Sequence, residues 1–356
     1  MISHTKWTSE QLTTTQQSIW IDLINPSDPL LFRGIMESLD TVQTAVTARH
    51  KTETAQLSAD VGFDHTVVGR DFENLLLRKL GIPWRTLRLL FEAPTADFSF
   101  SSRNIMCILA SAIKGIPSIH FTDNDITAFC DGLKYEELYN RLESKATYNI
   151  VPSVFKTKEL TKWGATSSQI LTYDGYKEDL YVAAFEPDNS FTQKLPFDEY
   201  IVVRPEALSA TYVDAQSSIV PELLEGAVER GFNVVYLPRG RGDEKYAKTI
   251  TSSDLFIPDQ ALHGLQLAWH SQCVLTGSGT MAREAACMSK PAVSFFPNAL
   301  LSVDQQLCST DRIFHSRDVE EILAYLESLA ETQYCPDRTR AHEVHENVCN
   351  MLREIL

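Results

Sequence analysis

The chain has 356 residues, of which 44% are hydrophobic and 22% charged, so it can bury a sizeable core. At about 100–200 residues per domain, this length predicts two domains. Its 47 acidic and 32 basic residues give a net charge of −15, which argues against a general nucleic-acid-binding protein, because contacts with phosphates need clustered cations. The sequence has no run of about 18 apolar residues and no apolar secretory segment near its start, so we expect a cytoplasmic protein without a transmembrane helix.

Short apolar runs that alternate with amphipathic segments predict an α/β domain over residues 1–184. The predicted strands are 18–23, 43–48, 65–68, 97–101, 117–121, 147–151 and 169–173. The predicted helices are 29–39, 52–61, 73–91, 104–114 and 156–163. Gly81 and Pro83 should kink or break the third helix, because proline removes a backbone hydrogen bond and clashes with the preceding turn. This alternation favours parallel strands joined by right-handed crossovers.

Residues 185–197 contain two prolines, mixed charges and little periodicity, which predicts a linker. The alternation then restarts and predicts a second domain over residues 198–337, followed by a closing amphipathic helix at 338–356. The predicted strands of this half are 200–203, 234–237, 255–257, 273–275, 292–296 and 313–315. The predicted helices are 217–230, 261–270, 280–289 and 319–330. Ligands of open α/β sheets bind at the carboxyl ends of the strands, so residues directly after each strand are the functional candidates.

The sequence contains seven cysteines, and none of them forms a CxxC pair. Several lie in apolar runs, which favours reduced, mostly buried thiols over disulfides. No cluster of cysteine and histidine has the spacing of a zinc site, so we expect no metal. The cysteines are Cys107, Cys130, Cys273, Cys287, Cys308, Cys335 and Cys349.

The segment 274–297, VLTGSGTMAREAACMSKPAVSFFP, has the strongest signal for a ligand site. A strand ends in a short loop at which a helix begins, and Glu284 lies one turn inside that helix. The loop consists of Gly277, Ser278, Gly279 and Thr280. Glycines allow close approach of the backbone, and free N–H groups at a helix start favour phosphate, while the Glu284 carboxylate could accept both hydroxyls of a ribose. The alternative is an ordinary strand–loop–helix unit capped by Ser or Thr.

This segment resembles the nucleotide-binding half of the GT-B superfamily, which includes sugar-nucleotide glycosyltransferases and non-hydrolysing UDP-N-acetylglucosamine 2-epimerases. More closely, the chain resembles a prokaryotic family called domain of unknown function family 354. The matching segments are IWIDLINP at 19–26, VTAR at 46–49, VVGR at 67–70, GIPS at 115–118, TDN at 122–124, VVRPE at 202–206, VVYLPR at 234–239 and the segment 277–297. The resemblance implies a GT-B-like fold of two Rossmann-like parallel α/β domains facing a cleft. It also implies that Glu284 contacts the ribose and that Gly277–Thr280 contact the diphosphate.

Three aspartates that follow strands of the first half are candidate catalytic residues. Asp28 follows the Asn25-Pro26 turn, at a place where family members often have histidine. It could act as a base or bind substrate hydroxyls, or it could be the helix N-cap before Pro29. Asp123 and Asp125 could raise one another's pKa and act as acid or base, or they could form an Asx turn.

The second half offers cationic candidates at the ends of two strands. Arg204 is placed to pair with a phosphate, where its planar fork is better suited than lysine, and Glu206 follows it. An Arg–Glu pair that only holds the loop is the alternative. Arg239 lies in a flexible glycine-rich loop, and a solvated basic loop is equally consistent with it. Residues 304–306 could contact the sugar or could be a surface helix turn.

We expect a glycosyltransferase that uses a nucleoside-diphosphate sugar, most simply UDP-linked, to build a cell-envelope or protein-linked glycan. No cofactor or metal is expected besides this substrate, and a lipid-linked acceptor would allow peripheral association with a membrane. One alternative is an enzyme like the UDP-N-acetylglucosamine 2-epimerases, although Arg204-Pro205-Glu206 stands where those enzymes carry a histidine. A non-catalytic nucleotide-sugar-binding protein is the other alternative.

Overall fold

The computed structural model describes residues 17–39, 42–50, 57–59, 61–70, 75–207, 217–240, 242–329, 332 and 334–356. The first half forms a parallel sheet of β1 (Gln17–Leu23), β2 (Val42–His50), β3 (His65–Arg70), β4 (Phe98–Ser102), β5 (Ser118–Phe121), β6 (Tyr148–Pro152) and β7 (Ile170–Tyr173). Its helices are α1 (Asp28–Glu37), α2 (Leu75–Glu92), α3 (Ile105–Lys114), α4 (Lys134–Glu143), α5 (Lys158–Thr161) and α6 (Asp179–Val182). The strand order is β3-β2-β1-β4-β5-β6-β7.

A second parallel sheet is formed by β8 (Ile201–Arg204), β9 (Val234–Tyr236), β10 (Leu255–Phe256), β11 (Cys273–Thr276), β12 (Ala292–Ser294) and β13 (Phe314–His315). Its order is β10-β9-β8-β11-β12-β13. The helices of this half are α7 (Val220–Glu229), α8 (Gly264–His270), α9 (Gly279–Cys287), α10 (Ser302–Ser309), α11 (Val319–Leu329) and α12 (Thr339–Ile355). The second sheet has the Rossmann order 3-2-1-4-5-6, and the first sheet has the same order with a seventh strand added after the sixth. In both, the direction of winding reverses between the first and fourth strands. The predicted two-domain Rossmann-like α/β fold is confirmed.

The central strands are apolar on both faces because helices cover both sides of each sheet. Ile19, Trp20 and Ile21 of β1 are fully buried, as are Val202 and Val203 of β8. A strand buried on both faces reads as a continuous apolar run, which explains why these strands could be located from sequence.

Helix α2 runs through a predicted break, and three other helices, α4, α6 and α10, were not predicted. The chain remains helical through Gly81 and Pro83, so the helix is not broken there. Helix α4 was missed because its sequence, KYEELYNRLE, is polar and its buried residues are Asn140 and Glu143. Helix α10 contains residues 304–306, which the sequence assigned to a sugar contact or to a surface helix turn. Of the predicted helix 52–61, residues 57–59 are helical, and 52–56 and 60 lie outside the described residues.

A buried ion pair joins four elements at the carboxyl ends of the first sheet. The Arg85 guanidinium of α2 donates to both carboxylate oxygens of Asp22 at 2.7 Å, and its Nε donates to the Val68 carbonyl at 2.8 Å. Thr47 Oγ1 and Asn104 Nδ2 also donate to this carboxylate, at 2.6 and 2.7 Å. Because every acceptor position of Asp22 is occupied, this pair holds α2 to β1, β2 and β3 near the carboxyl ends of the strands.

The last helix, α12, packs on the first domain rather than on the second. His345 is hydrogen-bonded through Nδ1 to the Leu180 carbonyl and through Nε2 to Ser38 Oγ, both at 2.9 Å. Gly175 is required at this contact, since a Cβ there would lie 2.4 Å from Val344 Cγ1. The chain thus crosses between the domains twice, once through the predicted linker region and once before α12.

All seven cysteines are free thiols, as predicted, and four of them are buried. In the described part of the chain, no helix has the length and apolar character needed to cross a membrane.

Candidate functional site

The start of α9 presents backbone N–H groups that no side chain caps. Ser278 is the N-cap residue, but its side chain makes no capping hydrogen bond, and its own N–H is held by Thr276 Oγ1 at 3.0 Å. The first N–H groups of a helix have no partner within the helix, and the helix dipole adds positive potential there. The loop from Gly277 to Thr280 can therefore accept an anion such as a diphosphate.

Strand pairing brings Arg204 beside this loop. Arg204 ends β8 and lies opposite Thr276 of β11, and its carbonyl accepts a hydrogen bond from the Gly277 N–H at 3.1 Å. These two strands flank the point at which the winding of the second sheet reverses, where crevices in such sheets form. The structure records no hydrogen bond from the Arg204 side chain to another described residue. The predicted diphosphate-binding candidates therefore lie together.

Glu284 lies one turn into α9 and faces the first domain. Tyr181 of α6 donates a hydrogen bond from its hydroxyl to Glu284 Oε1 at 2.8 Å. Burial between the domains raises the pKa of Glu284 to about 7, although this hydrogen bond and the charge of Arg204 act in the opposite direction. The second oxygen of the carboxylate remains for a ligand. Because Glu284 lies close enough to Arg204 for their charges to interact, both belong to the candidate site at the start of α9.

Glu206 and Gly277 contact each other and serve the packing of the second domain. The Glu206 carboxylate accepts hydrogen bonds from Ser218 Oγ at 2.5 Å, from the Ile219 N–H at 3.3 Å and from Arg317 Nη1 at 3.2 Å. A Cβ on residue 277 would lie 2.4 Å from Glu206 Cγ. The glycine is therefore required because the loop after β8 approaches closely. Both oxygens of Glu206 accept hydrogen bonds from the protein, so in this structure the carboxylate holds the second domain together, and its role toward a ligand stays a prediction.

Arg239 is exposed, and its Nε donates to the Pro205 carbonyl at 2.9 Å. Its N–H is 3.3 Å from Asp243 Oδ2. The side chain thus holds the loop after β8, and it lies at the edge of the site.

Arg283 of α9 is a buried cation that reaches three carboxylates. Its Nη1 lies 3.3 Å from Asp123 Oδ2 and 3.7 Å from Asp304 Oδ1, and its Nε lies 3.1 Å from Glu178 Oε1. Lys177 Nζ lies 3.4 Å from the other oxygen of Asp123. We call these five residues the interdomain cluster, because Asp123, Lys177 and Glu178 belong to the first domain and the other two to the second.

The interdomain cluster contains two cations and three carboxylates, so one carboxylate lacks a full counter-charge. Burial acts to raise the pKa of Asp123, but Lys177 and Arg283 outweigh it and lower this pKa to about 2. Burial raises the pKa of Glu178 and of Asp304, and Arg283 only partly compensates. Separation of pKa values among neighbouring carboxyl groups is typical of sites that transfer protons.

Several atoms of the interdomain cluster are at ion-pair distance without hydrogen-bond alignment. Arg283 Nε and Nη1, Asp123 Oδ2 and both Glu178 oxygens have no hydrogen-bond partner within the described structure. Buried polar groups normally have such partners. The side chains therefore have unused hydrogen-bonding capacity toward the space between the domains.

Asp28 is neither exposed nor the N-cap of α1. Ser27 occupies the N-cap position, and Asp28 Oδ2 accepts hydrogen bonds from the N–H groups of Ile24 and Asn25 at 3.0 and 2.7 Å. Burial raises the pKa of Asp28 to about 6, against the effect of these two hydrogen bonds and of Lys177. The N-cap alternative is therefore wrong, and the carboxyl group is poised to change its protonation state near neutral pH.

Asp125 joins the two domains through the backbone. Its Oδ2 accepts a hydrogen bond from the Lys156 N–H at 3.0 Å, and its Oδ1 accepts one from the Ser302 N–H at 3.1 Å. The carboxylate is fully buried, and it binds one backbone group from each domain. This arrangement holds the start of α10 against the first domain.

The sequence matches one protein family over nearly its whole length. A family model described as "Protein of unknown function (DUF354)" matches residues 17–353. The chain belongs to this family. A DUF354 chain was expected from the segments quoted above, and the match covers nearly all of the sequence.

Individual proteins similar to this DUF354 chain include one sequence relative and two kinds of solved structure. "Uncharacterized protein MJ0665" of Methanocaldococcus jannaschii is 24% identical over 323 residues, which are 87% of this chain and 90% of that protein. UDP-GlcNAc 2-epimerase from the same organism superposes with a TM-score of 0.69 at 12% identity, over 95% of this chain and 99% of the epimerase. The glycotransferase of kitacinnamycin gives a TM-score of 0.55 at 11% identity, over 95% of each chain. The likeness to these GT-B enzymes shows the fold.

Four residues of the candidate site were not found from the sequence: Lys177, Glu178, Tyr181 and Arg283. The first three lie in the charged segment YKEDLY at 176–181, which precedes the predicted linker and contains no strand end. Arg283 is adjacent to the predicted Glu284, and its polarity within an otherwise small-residue helix was the available signal.

No group of three or more His, Cys, Asp or Glu side chains converges as a metal site in the parts of the chain that the structure covers.

Proposed function

We propose that this DUF354 protein transfers a glycosyl group from a nucleoside-diphosphate sugar, with UDP as the nucleotide. The observation that carries the proposal is the uncapped start of α9, with Arg204 and Glu284 beside it. The N–H groups and the guanidinium would bind the diphosphate, and Glu284 would accept hydrogen bonds from the ribose. Solved complexes of the M. jannaschii epimerase with UDP-GlcNAc and UDP support the choice of nucleotide.

The reaction proposed is displacement at the anomeric carbon. The bond between the sugar C1 and the diphosphate oxygen breaks, and UDP leaves with the bonding electrons. A bond forms between C1 and an acceptor hydroxyl oxygen, whose proton passes to a carboxylate. Donors fixed before the reaction stabilise the departing charge without reorganisation, which is the role proposed for the α9 start and Arg204.

Asp28 is the best candidate for the base among the three aspartates. A base is most effective when its pKa is near the working pH, and the pKa of Asp28 is raised to about 6. Asp123 has a pKa of about 2, so it remains charged and is a weak base, although it can position a hydroxyl. Asp125 has both oxygens bound to backbone N–H groups.

The acceptor proposed is a cell-envelope or protein-linked glycan, by resemblance to GT-B enzymes.

The second candidate function is epimerisation at the sugar C2. The pKa values of Glu178 and Asp304 are raised while that of Asp123 is lowered, and such a set could remove a proton on one face and return one on the other. Arg204 weighs against this function, because it remains protonated at physiological pH and cannot shuttle a proton as histidine can.

Incubation of the protein with UDP-GlcNAc in D2O separates the two functions. We expect release of UDP, faster when a glycan acceptor is added, and no deuterium at the sugar C2 by mass spectrometry. Arg204→Lys should slow UDP release although it keeps the charge, because the bidentate geometry is lost. A Glu343→Gln variant, altered at an exposed position of α12, serves as the matched control.

Deuteration at C2 that Asp123→Asn abolishes would contradict transfer and favour the epimerase. Binding of UDP-GlcNAc without UDP release, with any acceptor, and without C2 exchange would contradict both and favour a non-catalytic binding protein.

A further inference from the structure

Helix α6 of the first domain contacts two consecutive residues of α9 in the second domain. The Tyr181 hydroxyl donates a hydrogen bond to Glu284 Oε1 at 2.8 Å. Three positions earlier, the Glu178 carboxylate lies 3.1 Å from Arg283 Nε. Residues three positions apart lie on one face of a helix, so both contacts come from the same face of α6. The first domain therefore places a hydroxyl on the carboxylate to which we assign the ribose.

The position of Tyr181 is fixed by packing within the first domain. The carbonyl of the preceding residue, Leu180, accepts a hydrogen bond from His345 Nδ1 of α12 at 2.9 Å. The same carbonyl lies against Gly34 of α1, where an added Cβ would be 2.8 Å away. Tyr181 itself is 2% exposed. Because α1 and α12 hold the backbone of α6, the hydroxyl is in place before any ligand binds.

Tyr181 is the donor in its hydrogen bond with Glu284. Burial, together with the charges of Glu284 and Glu178, raises the pKa of Tyr181 well above its usual value. The hydroxyl therefore keeps its proton at physiological pH. A hydrogen bond donated to a carboxylate favours the charged form of that carboxylate.

Glu284 needs such a donor because its surroundings favour the protonated form. Burial raises the pKa of Glu284 to about 7, and the charge of Glu178 acts in the same direction. Arg204 and Arg283 lower this pKa, and the hydrogen bond from Tyr181 lowers it more than either of them. A charged carboxylate has about four lone-pair positions, so Oε1 can accept from both Tyr181 and a ribose hydroxyl. The protonated acid uses one oxygen as a donor and is a poorer acceptor.

We propose that Tyr181 is a positioning residue for the nucleotide, which orients Glu284 and keeps it available as an acceptor for the ribose hydroxyls. Tyr181 acts through Glu284 and does not itself touch the nucleotide. The proposal rests on the function proposed above, and it adds that the ribose site is complete only while α6 contacts α9. Binding of the nucleotide and contact between the two domains therefore stabilise each other.

Calorimetric titration of UDP into the full chain at about pH 7 and about pH 8.5 tests the proposal. We expect Tyr181→Phe to bind UDP about tenfold more weakly than the unaltered protein at the lower pH, and within about threefold at the higher pH. The reason is that loss of a hydrogen bond to a charged group raises the pKa of Glu284 by about one unit or more. Titration of the UDP phosphate affects both proteins alike, so it cancels in the ratio of their affinities.

Three controls separate this role from general packing. Tyr200→Phe removes another buried hydroxyl, which donates to the Leu267 carbonyl at 3.1 Å, and it should leave UDP affinity unchanged at both pH values. Inorganic pyrophosphate has no ribose, so it should bind Tyr181→Phe and the unaltered protein alike. In a Glu284→Gln background, the effect of Tyr181→Phe should be the same at both pH values, because glutamine does not titrate.

Four results would overturn the proposal. One is a ratio of UDP affinities that is the same at both pH values. Another is tighter UDP binding by Tyr181→Phe, which would show that the hydroxyl competes with the ribose for Glu284. Weaker pyrophosphate binding by this variant would instead assign Tyr181 to the diphosphate loop. Absence of UDP binding by the unaltered protein at either pH would refute the proposed function together with this inference, whereas the first three results refute the role of Tyr181 alone.

Discussion

Replacing Arg85 with methionine is expected to lower the free energy of unfolding by about 3–5 kcal/mol, because the Asp22 carboxylate would remain buried without its counter-charge. Both partners are almost completely buried, and two parallel hydrogen bonds of 2.7 Å join them. The same change leaves the Val68 carbonyl without its donor. Urea denaturation, followed by circular dichroism and analysed by linear extrapolation, measures the loss.

Arg88→Met on the same helix is the matched control. The Arg88–Glu92 pair is solvent-exposed and separated by four residues, so its loss should cost at most about 0.5 kcal/mol. Equal destabilisation by the two variants would contradict the importance assigned to the buried pair. Arg85→Met with unchanged stability would do so as well.

Asp28→Asn is expected to lower the rate of UDP release from UDP-GlcNAc by about 10²–10⁴-fold, the usual contribution of a general base. The fold at this position should survive, because Oδ2 alone accepts both backbone hydrogen bonds, and the other oxygen, Oδ1, accepts only a long hydrogen bond of 3.4 Å from Asn25 Nδ2. Asp174→Asn, which alters an exposed carboxylate of the same domain, should leave the rate unchanged. Initial rates of UDP release at saturating UDP-GlcNAc measure the effect.

The pH profile provides a second readout of Asp28. Its pKa is raised to about 6 in the folded protein, so the carboxyl group is protonated below that pH and cannot accept a proton from the acceptor. The rate should therefore fall about tenfold for each pH unit below about 6 and level off above it. A profile that is flat between pH 5 and about 8, or an Asp28→Asn rate close to that of the unaltered protein, would exclude Asp28 as the base.

The fold was predictable where burial leaves a periodic signal. Strands β1 and β8 are apolar on both faces, and the helices between them have one apolar stripe, so the parallel two-domain arrangement follows from the sequence. Helix α4 was missed because it buries polar residues, Asn140 and Glu143, which are satisfied by contacts elsewhere. Helix α2 continues through Pro83 because tertiary packing overrides the local preference of a single residue.

The candidate site was predictable only where one short segment contains it. Gly277 to Thr280 and Glu284 are close in sequence, so a strand–loop–helix pattern was enough to place them together. The interdomain cluster joins Asp123 to Arg283, which are far apart in the chain, and no periodicity reports such a contact. Glu206 shows what a strand-end pattern does not report, because its carboxylate holds the start of α7 through Ser218 and Ile219, and its assignment to a ligand stays a prediction.

Calorimetric titration of UDP into the protein tests the central claim most directly. At about pH 8, where Glu284 with its pKa of about 7 is mostly charged, we expect saturable binding at one site. Glu284→Gln should then lose about 1–3 kcal/mol, since a hydrogen bond to a charged acceptor would be weakened while the Tyr181 contact is kept. Glu343→Gln should bind UDP like the unaltered protein. No binding of UDP at millimolar concentration, or equal affinity of Glu284→Gln and the unaltered protein, would contradict a nucleotide site at the start of α9.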